Sequence, residues 1–191
     1  MYLTLTEKRI PGTILQKNAM GNVTGKEFLH KIFYISQGIM LSQIREISGI
    51  DGSTLQNWTK RGWVANAKLK KYDMEQVARI LIINMLRECM QLDRIIFLLR
   101  YLNGTPEDNA QIIAESDLYD YLCRITDALL DTHAPVSDLR GLIEAQLGDF
   151  TERCSGAKHR LTNALEIMII AYYASTLKKH ADTRLLELTQ R

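Results

Sequence analysis

Cysteine is scarce in this chain of 191 residues. The three present, Cys89, Cys123 and Cys154, are odd in number, widely spaced and without a CxxC pair. That pattern reads as free thiols in a reducing cytoplasm. Proline is equally rare, at three residues, which favours helices. Long apolar runs are missing: stretches such as 80–86 and 167–174 fall far short of the roughly 20 residues a membrane span needs. The opening MYLTLTEKRIPGTILQKN lacks the apolar centre of a signal peptide, so a cytoplasmic protein with no membrane attachment is expected. There is no glycine-rich phosphate loop and no Ser/His/Asp or Cys/His set, so no catalytic residues are assigned and an enzyme is not expected. Glu27 and His30 form one Glu-x-x-His without the second copy that a di-iron bundle requires. Cys154 and His159 are two ligands where zinc takes four. No metal and no cofactor are expected.

What is present is an ordinary globular mixture, 46% hydrophobic and 24% charged. Its formal charge of +2 conceals a division. Residues 1–104 carry 15 Lys and Arg against 8 Asp and Glu, a net of +7, whereas residues 105–191 carry 9 against 14, a net of −5. Only the first half is suited to meet a polyanion.

Pro11-Gly12, Gly21-Asn22 and Gly25 mark residues 1–25 as an arm with little structure of its own. Apolar positions at helical spacing predict a helix over 26–37, ended by Gly38, and a short one over 41–48. Ser53 offers an N-cap to a third helix over 53–61, which Gly62 terminates. Residues 63–71 are aperiodic and read as a loop or small hairpin. Asp73 can cap a core helix from Met74 to about Cys89, and another spans 92–102. Four turn-formers, Asn103-Gly104-Thr105-Pro106, sit where the charge changes sign and mark a boundary. Beyond them helices are expected over about 107–131, 136–147 and 157–188. The last carries a stripe wide enough for burial against two neighbours. Asp120, Asp127 and Asp131, with Arg124 between them, read as a solvated and partly salt-bridged face.

Residues 41–72, LSQIREISGIDGSTLQNWTKRGWVANAKLKKY, carry the most information. Gly49 can take a positive φ between two short helices. Ile44, Ile50, Leu55 and Trp58 fall where those helices would share a small core, with Ile50 as the plug. Lys60, Arg61, Lys68, Lys70 and Lys71 are five cations in twelve residues with no acid among them. Such clusters bind phosphates by releasing counterions. Trp58 and Trp63 are expected in the core, and the Tyr72 hydroxyl is a candidate phosphate donor.

These residues resemble the winged helix-turn-helix of MerR-type bacterial transcription regulators over 41–102. STLQNWTKRGWV is similar to that family's Thr-Leu-Arg-Tyr-Trp/Tyr-Glu-x-x-Gly-Leu segment, and LKKYDMEQVARI to its Arg-x-Tyr-Ser-x-x-Asp segment. Asn57-Trp58-Thr59-Lys60 with Lys70-Lys71-Tyr72 looks closer still to an uncharacterised MerR-like bacterial domain family of unknown function. The resemblance implies a mainly α protein: an arm (1–25), a winged helix-turn-helix (26–104) and an all-α dimerisation or regulatory unit (105–191). It implies a transcriptional regulator that binds double-stranded DNA as a homodimer and answers an unknown effector. Helix 53–61 would enter the major groove, with Ser53, Thr54, Gln56 and Asn57 nearest the bases. Lys60, Arg61, Lys68, Lys70, Lys71 and Tyr72 would hold phosphates, the last four on a wing over 63–72. The chain departs from the MerR pattern at Gln56, Asn57 and Arg45, and Asp51 stands at the turn, where it would repel phosphate unless it caps the third helix. Gln and Asn can pair with adenine, so either a different base preference or weak base reading is expected. The competing reading keeps the winged shape without DNA: a protein-interaction module, or a small-molecule sensor with a site lined by Tyr119, Tyr121, Phe150, Met168, Tyr172 and Tyr173.

Overall fold

The computed structural model describes residues 9–104, 111–132 and 136–189. The protein is mainly helical. In chain order the helices are α1 (Gly25–Ile32), α2 (Leu41–Ser48), α3 (Gly52–Lys60), α4 (Met74–Leu86), α5 (Leu92–Asn103), α6 (Glu115–Thr132), α7 (Leu139–Gln146) and α8 (Ala157–Thr189). Two-residue strands β1 (Ile39–Met40) and β2 (Lys71–Tyr72) pair antiparallel, Ile39 opposite Tyr72 and Met40 opposite Lys71. No helix among the described residues is long and apolar enough to cross a membrane.

α4 sits at the centre. Nine of its thirteen residues are buried, so it is apolar on nearly every side, as a helix must be when neighbours surround it. It packs on α2, α5, α6 and α8. Asp73 caps it in a reciprocal box with Gln76, whose amide also donates to the carbonyls of Ala65 (3.2 Å) and Asn66 (3.0 Å). Buried side chains form one continuous core from Ile10 to Ile169. The expected boundary at Thr105-Pro106 lies outside the described residues, and α4 and α6 on either side of it pack together.

Residues 9–24, expected to have little structure of their own, are tied to this core. Ile10 and Val23 are buried, Arg9 bridges Gln16, and Asn18–Met20 is a 3-10 turn. The Tyr119 hydroxyl donates to the Pro11 carbonyl (2.7 Å). The Asn84 amide bridges the carbonyls of Gly12 (2.8 Å) and Ser48 (3.0 Å). α1 lies flat on α6 at Gly25, where a Cβ would stand 2.9 Å from Cys123 Sγ.

Several elements differ from the sequence expectation. α1 ends at Ile32, because Phe33 closes it and the following apolar Ile35 is 95% exposed. α6 begins at Glu115, and α7 is preceded by the 3-10 turn Val136–Asp138. The acidic face of α6 is partly salt-bridged as expected, Arg124 with Asp120 at 3.5 Å, and Asp131 is exposed. Asp120 and Asp127, however, are half-buried beneath residues of the N-terminal half. Asp127 pairs with Lys17 of the arm, and Asp120 accepts the Lys26 backbone N–H at 2.7 Å. Glu27 closes the capping box of α1 with Thr24, a purely local duty.

Candidate nucleic-acid interface

α2 and α3 meet at a turn dictated by one backbone position. Gly49 takes φ 71° and its N–H closes α2 on the Arg45 carbonyl. A side chain there would adopt a conformation that L-residues disfavour and would strike Ile14. Ile44, Ile50, Leu55 and Trp58 are each 1% exposed and form the shared core beneath the turn. Arg87, the residue that closes α4, covers the Trp58 ring 5.8 Å from its centroid.

Asp51, not Ser53, caps α3, so the helix starts one residue before the expected 53. Its carboxylate accepts from Ser53 N (2.7 Å), Ser53 Oγ (2.6 Å), Thr54 N (3.3 Å) and Thr54 Oγ1 (2.5 Å). Four donors hold its carboxyl far below the usual carboxylate range, the Ser53 and Thr54 hydroxyls first among them. The Ser53 and Thr54 hydroxyl protons are therefore committed to the cap. They leave Gln56 and Asn57 as the amide pair on the exposed side of α3, one turn before exposed Lys60. Asn57 Oδ1 accepts from Arg61 Nε at 3.4 Å, and the Arg61 guanidinium stands 5.0 Å over the Trp63 ring. Gln56 has no such partner among the described residues.

After α3 the chain is anchored by buried Trp63 and Val64 and by the Gln76 bonds to 65–66. It then turns back at 68–71. Lys68 and Lys71 exchange two backbone hydrogen bonds of 2.9 Å around Leu69 (φ 49°) and Lys70 (φ 62°). Two consecutive positive φ values define a two-residue hairpin turn that ordinarily takes Asn-Gly. The partner of β2 is β1, which precedes α2, so residues 63–71 are a loop ending in this turn rather than a hairpin of their own. Lys68, Lys70 and Lys71 are exposed; Lys71 Nζ reaches Ser36 Oγ at 3.4 Å. None of Lys60, Arg61, Lys68, Lys70 and Lys71 has a carboxylate partner among the described residues. Tyr72 departs from its expected place. It is 7% exposed and packs in the core beside Ile39, so it stands apart from the lysines. Trp58 and Trp63 are both buried.

The turn between α2 and α3 has a different character. Ser42, Arg45, Glu46, Gly49, Ile50 and Asp51 border a hollow of about 400 Å³ with two carboxylates and one guanidinium. Arg45 is exposed, so it does not obstruct the helix crossing.

The aromatic set proposed for a small molecule does not converge. Tyr119 and Met168 are fully buried core, whereas Tyr121 and Phe150 border a cavity of about 450 Å³ between α1, α6 and the loop after α7. The charges there largely answer one another: Lys26 with Asp117 (2.6 Å), and Arg124 with Asp120 and Asp149 (3.5 Å each). The Tyr121 hydroxyl donates to Asp149 at 2.8 Å, and burial with that bond pushes its pKa up to about 12. Cys123 is buried, and its burial raises the thiol pKa, while Cys89 and Cys154 are exposed. No group of metal ligands occurs among the described residues.

Sequence reasoning did not single out Arg79 or Asn84, which position this region. Arg79 Nε donates to the Trp63 carbonyl (2.6 Å) and its Nη1 to Glu115 (2.5 Å), joining the loop after α3 to α6. Their partners lie 16 to 72 residues away, so no local pattern announces them.

Residues 27–122 match a family described as Domain of unknown function (DUF1836). That stretch is just over half of the chain and contains the whole α2–α3 unit, the basic turn, α4 and α5. The chain belongs to this family. Membership brings no activity with it, because the family's function is unknown. No curated protein and no solved structure matches the chain.

Proposed function

We propose that α2, α3 and the 68–71 turn form a MerR-like winged helix-turn-helix that binds double-stranded DNA, and that the protein acts as a homodimeric transcription regulator. The observation that carries this reading is the set of five exposed cations without carboxylate partners, flanking the exposed amides of Gln56 and Asn57. Cations in that state have their full charge to offer phosphates, whereas paired ones do not. In this reading α3 lies in the major groove with Gln56 and Asn57 at base edges. Lys60 and Arg61 at its end, and Lys68, Lys70 and Lys71 on the wing, hold phosphates. Ser53 and Thr54 serve the cap, and Tyr72 supports the wing from inside. The reading involves no catalytic step.

The test is a fluorescence-anisotropy titration of mixed-sequence duplexes at two salt concentrations. Binding that weakens steeply with salt is expected. Absence of binding to any duplex at low salt would sink the proposal.

One observation favours a second reading, a protein-docking module of the same shape. Glu46 and Asp51 outnumber Arg45 around the hollow at the start of α3, where a groove-entering helix would meet phosphates. A partner presenting cations would fit that hollow. Retrieval of a basic protein partner, together with indifference to duplex DNA, would select this reading.

A further inference from the structure

α8 has two apolar faces, and only one is covered. Leu161, Leu165, Met168 and Ile169 are buried against the body. On the far side Ile167, Ile170, Ala174, Leu177, Ala181, Leu185 and Leu188 are all exposed, the isoleucines at 48% and 44% and Leu188 at 68%. At 100° per residue these seven positions fall within about 80° of arc, a straight stripe roughly 32 Å long. Their spacing of three and four residues is that of a helix seam, not of scattered surface side chains. From Leu177 to Thr189 every residue except His180 is exposed, and Lys179 ties the start of this stretch to Glu88 of the body at 2.8 Å. An overhanging end of that length is marginal as an isolated helix in water.

We infer that this stripe is where two copies of the chain pair, their α8 helices antiparallel about a two-fold axis near residue 175. The stripe fits itself. With the axis there, Ala174 lies opposite the partner's Leu177, and Ala181 opposite the partner's Ile170. Each small residue then meets a large one, which lets the helices approach closely. Charge agrees with shape. Glu166 and Arg184 lie on the same edge of the stripe, at the same angle on the helix, and a two-fold brings like edges together. Glu166 then faces the partner's Arg184, twice by symmetry. Within one chain Arg184 reaches Glu187 (2.6 Å) and Glu166 takes Arg140 (3.2 Å), both exposed pairs that can share a third charge. Four helices, α4 to α7, lie between the α2–α3 unit and α8 in the chain, and the interface uses residues of α8 alone. It gives the homodimer of the DNA-binding reading a surface without depending on DNA.

Sedimentation velocity of the full chain, without DNA, tests this at concentrations from about 1 to 100 µM. The expected species is a dimer of the 21.9 kDa chain. Ala174→Glu with Ala181→Glu, both on the exposed face, should weaken dimerisation by roughly 100-fold or more while the thermal unfolding of the monomer stays close to that of the parent. The register has its own test. Glu166→Arg should weaken the dimer, and adding Arg184→Glu to the same chain should restore it. A chain that remains monomeric throughout, or a dimer untouched by the alanine substitutions, overturns the inference. A dimer lost with the alanine variant but indifferent to the charge exchange overturns the antiparallel register. Failure of DNA binding leaves these outcomes unchanged, so the two readings fall separately.

Discussion

The α2–α3 unit with its basic turn and the α6–α8 region both carry many charges, and they use them in opposite ways. Around α6 to α8 charges are consumed in pairs: Arg140 with Glu144 and Glu166, Lys178 with Asp182, Arg184 with Glu187. The acidic region also draws on cations from the basic half, since Lys17, Lys26 and Arg79 pair with Asp127, Asp117 and Glu115. Lys60, Arg61, Lys68, Lys70 and Lys71 stay apart from this exchange. A net charge of +7 over residues 1–104 therefore understates the contrast, because what remains after pairing is concentrated on one short stretch. Availability, rather than count, distinguishes the two regions.

The largest effect is expected where the regions are joined. Glu115 is buried, and burial raises its carboxyl pKa while Arg79 opposes that rise. Glu115 Oε2 has no hydrogen-bond partner among the described residues, so the contacts through Oε1, Arg79 first and Asn103 at 3.4 Å second, make the buried charge tolerable. Arg79→Leu should cost about 3–5 kcal/mol in chemical denaturation, the range for stranding one partner of a buried pair. Arg79→Leu with Glu115→Leu should recover most of that loss. If the double variant is no more stable than the single, the seam is held by packing rather than by this pair.

The second expectation separates the two kinds of cation. Lys70→Ala with Lys71→Ala should leave stability within about 0.5 kcal/mol, as for exposed substitutions. It should weaken binding to all duplexes alike and reduce the salt slope by about 2. Lys178→Ala, which removes a paired surface lysine at the opposite end of the chain, should change neither. Equal losses from both variants would mean that binding follows overall charge and not this face.

Much of this contrast could be read from the sequence, and what could not has physical causes. The bounds of α2 and the start of α4 were legible because Gly49 and Asp73 are adjacent, local signals. The cap of α3 was misplaced because Asp51 and Ser53 are both good N-caps two residues apart, and only geometry chooses between them. α1 was overextended because Ile35 continues an apolar rhythm while pointing to solvent. The pairing of β1 with β2 closes over 31 residues, and the cover over Asp120 and Asp127 comes from residues 94 and 110 positions earlier. At the candidate interface the basic residues were legible as a run. The burial of Tyr72 was not, because a tyrosine that ends a run of lysines looks the same in sequence whether it faces inward or outward.

Gln56→Ala tests base reading apart from phosphate binding. Its amide has no partner among the described residues, whereas the amide oxygen of Asn57 accepts from Arg61. The substitution should reduce discrimination between the preferred duplex and its single-base variants by about 1–3 kcal/mol at one position. Affinity for unrelated duplexes should change little. A uniform loss across all sequences would return Gln56 to the phosphate-contacting group.

The smallest effect concerns Asp51, the one carboxylate at the head of α3. Its folded pKa lies below the ordinary value near 4, so the ionised form is favoured by folding. A depressed carboxyl contributes stability that is present in full above its unfolded pKa and is lost as pH falls toward the folded one. Asn also caps helices well, so Asp51→Asn removes mainly the charge. The melting temperatures of the two proteins should differ at pH 6, the parent being higher. The gap should close progressively below about pH 4. Against DNA the sign reverses. Removing a negative charge from the end of α3 should tighten binding at low salt, with the gain disappearing as salt rises. A substitution that lowers both stability and affinity would show that the geometry of the cap, rather than repulsion between Asp51 and phosphate, governs how α3 meets its partner.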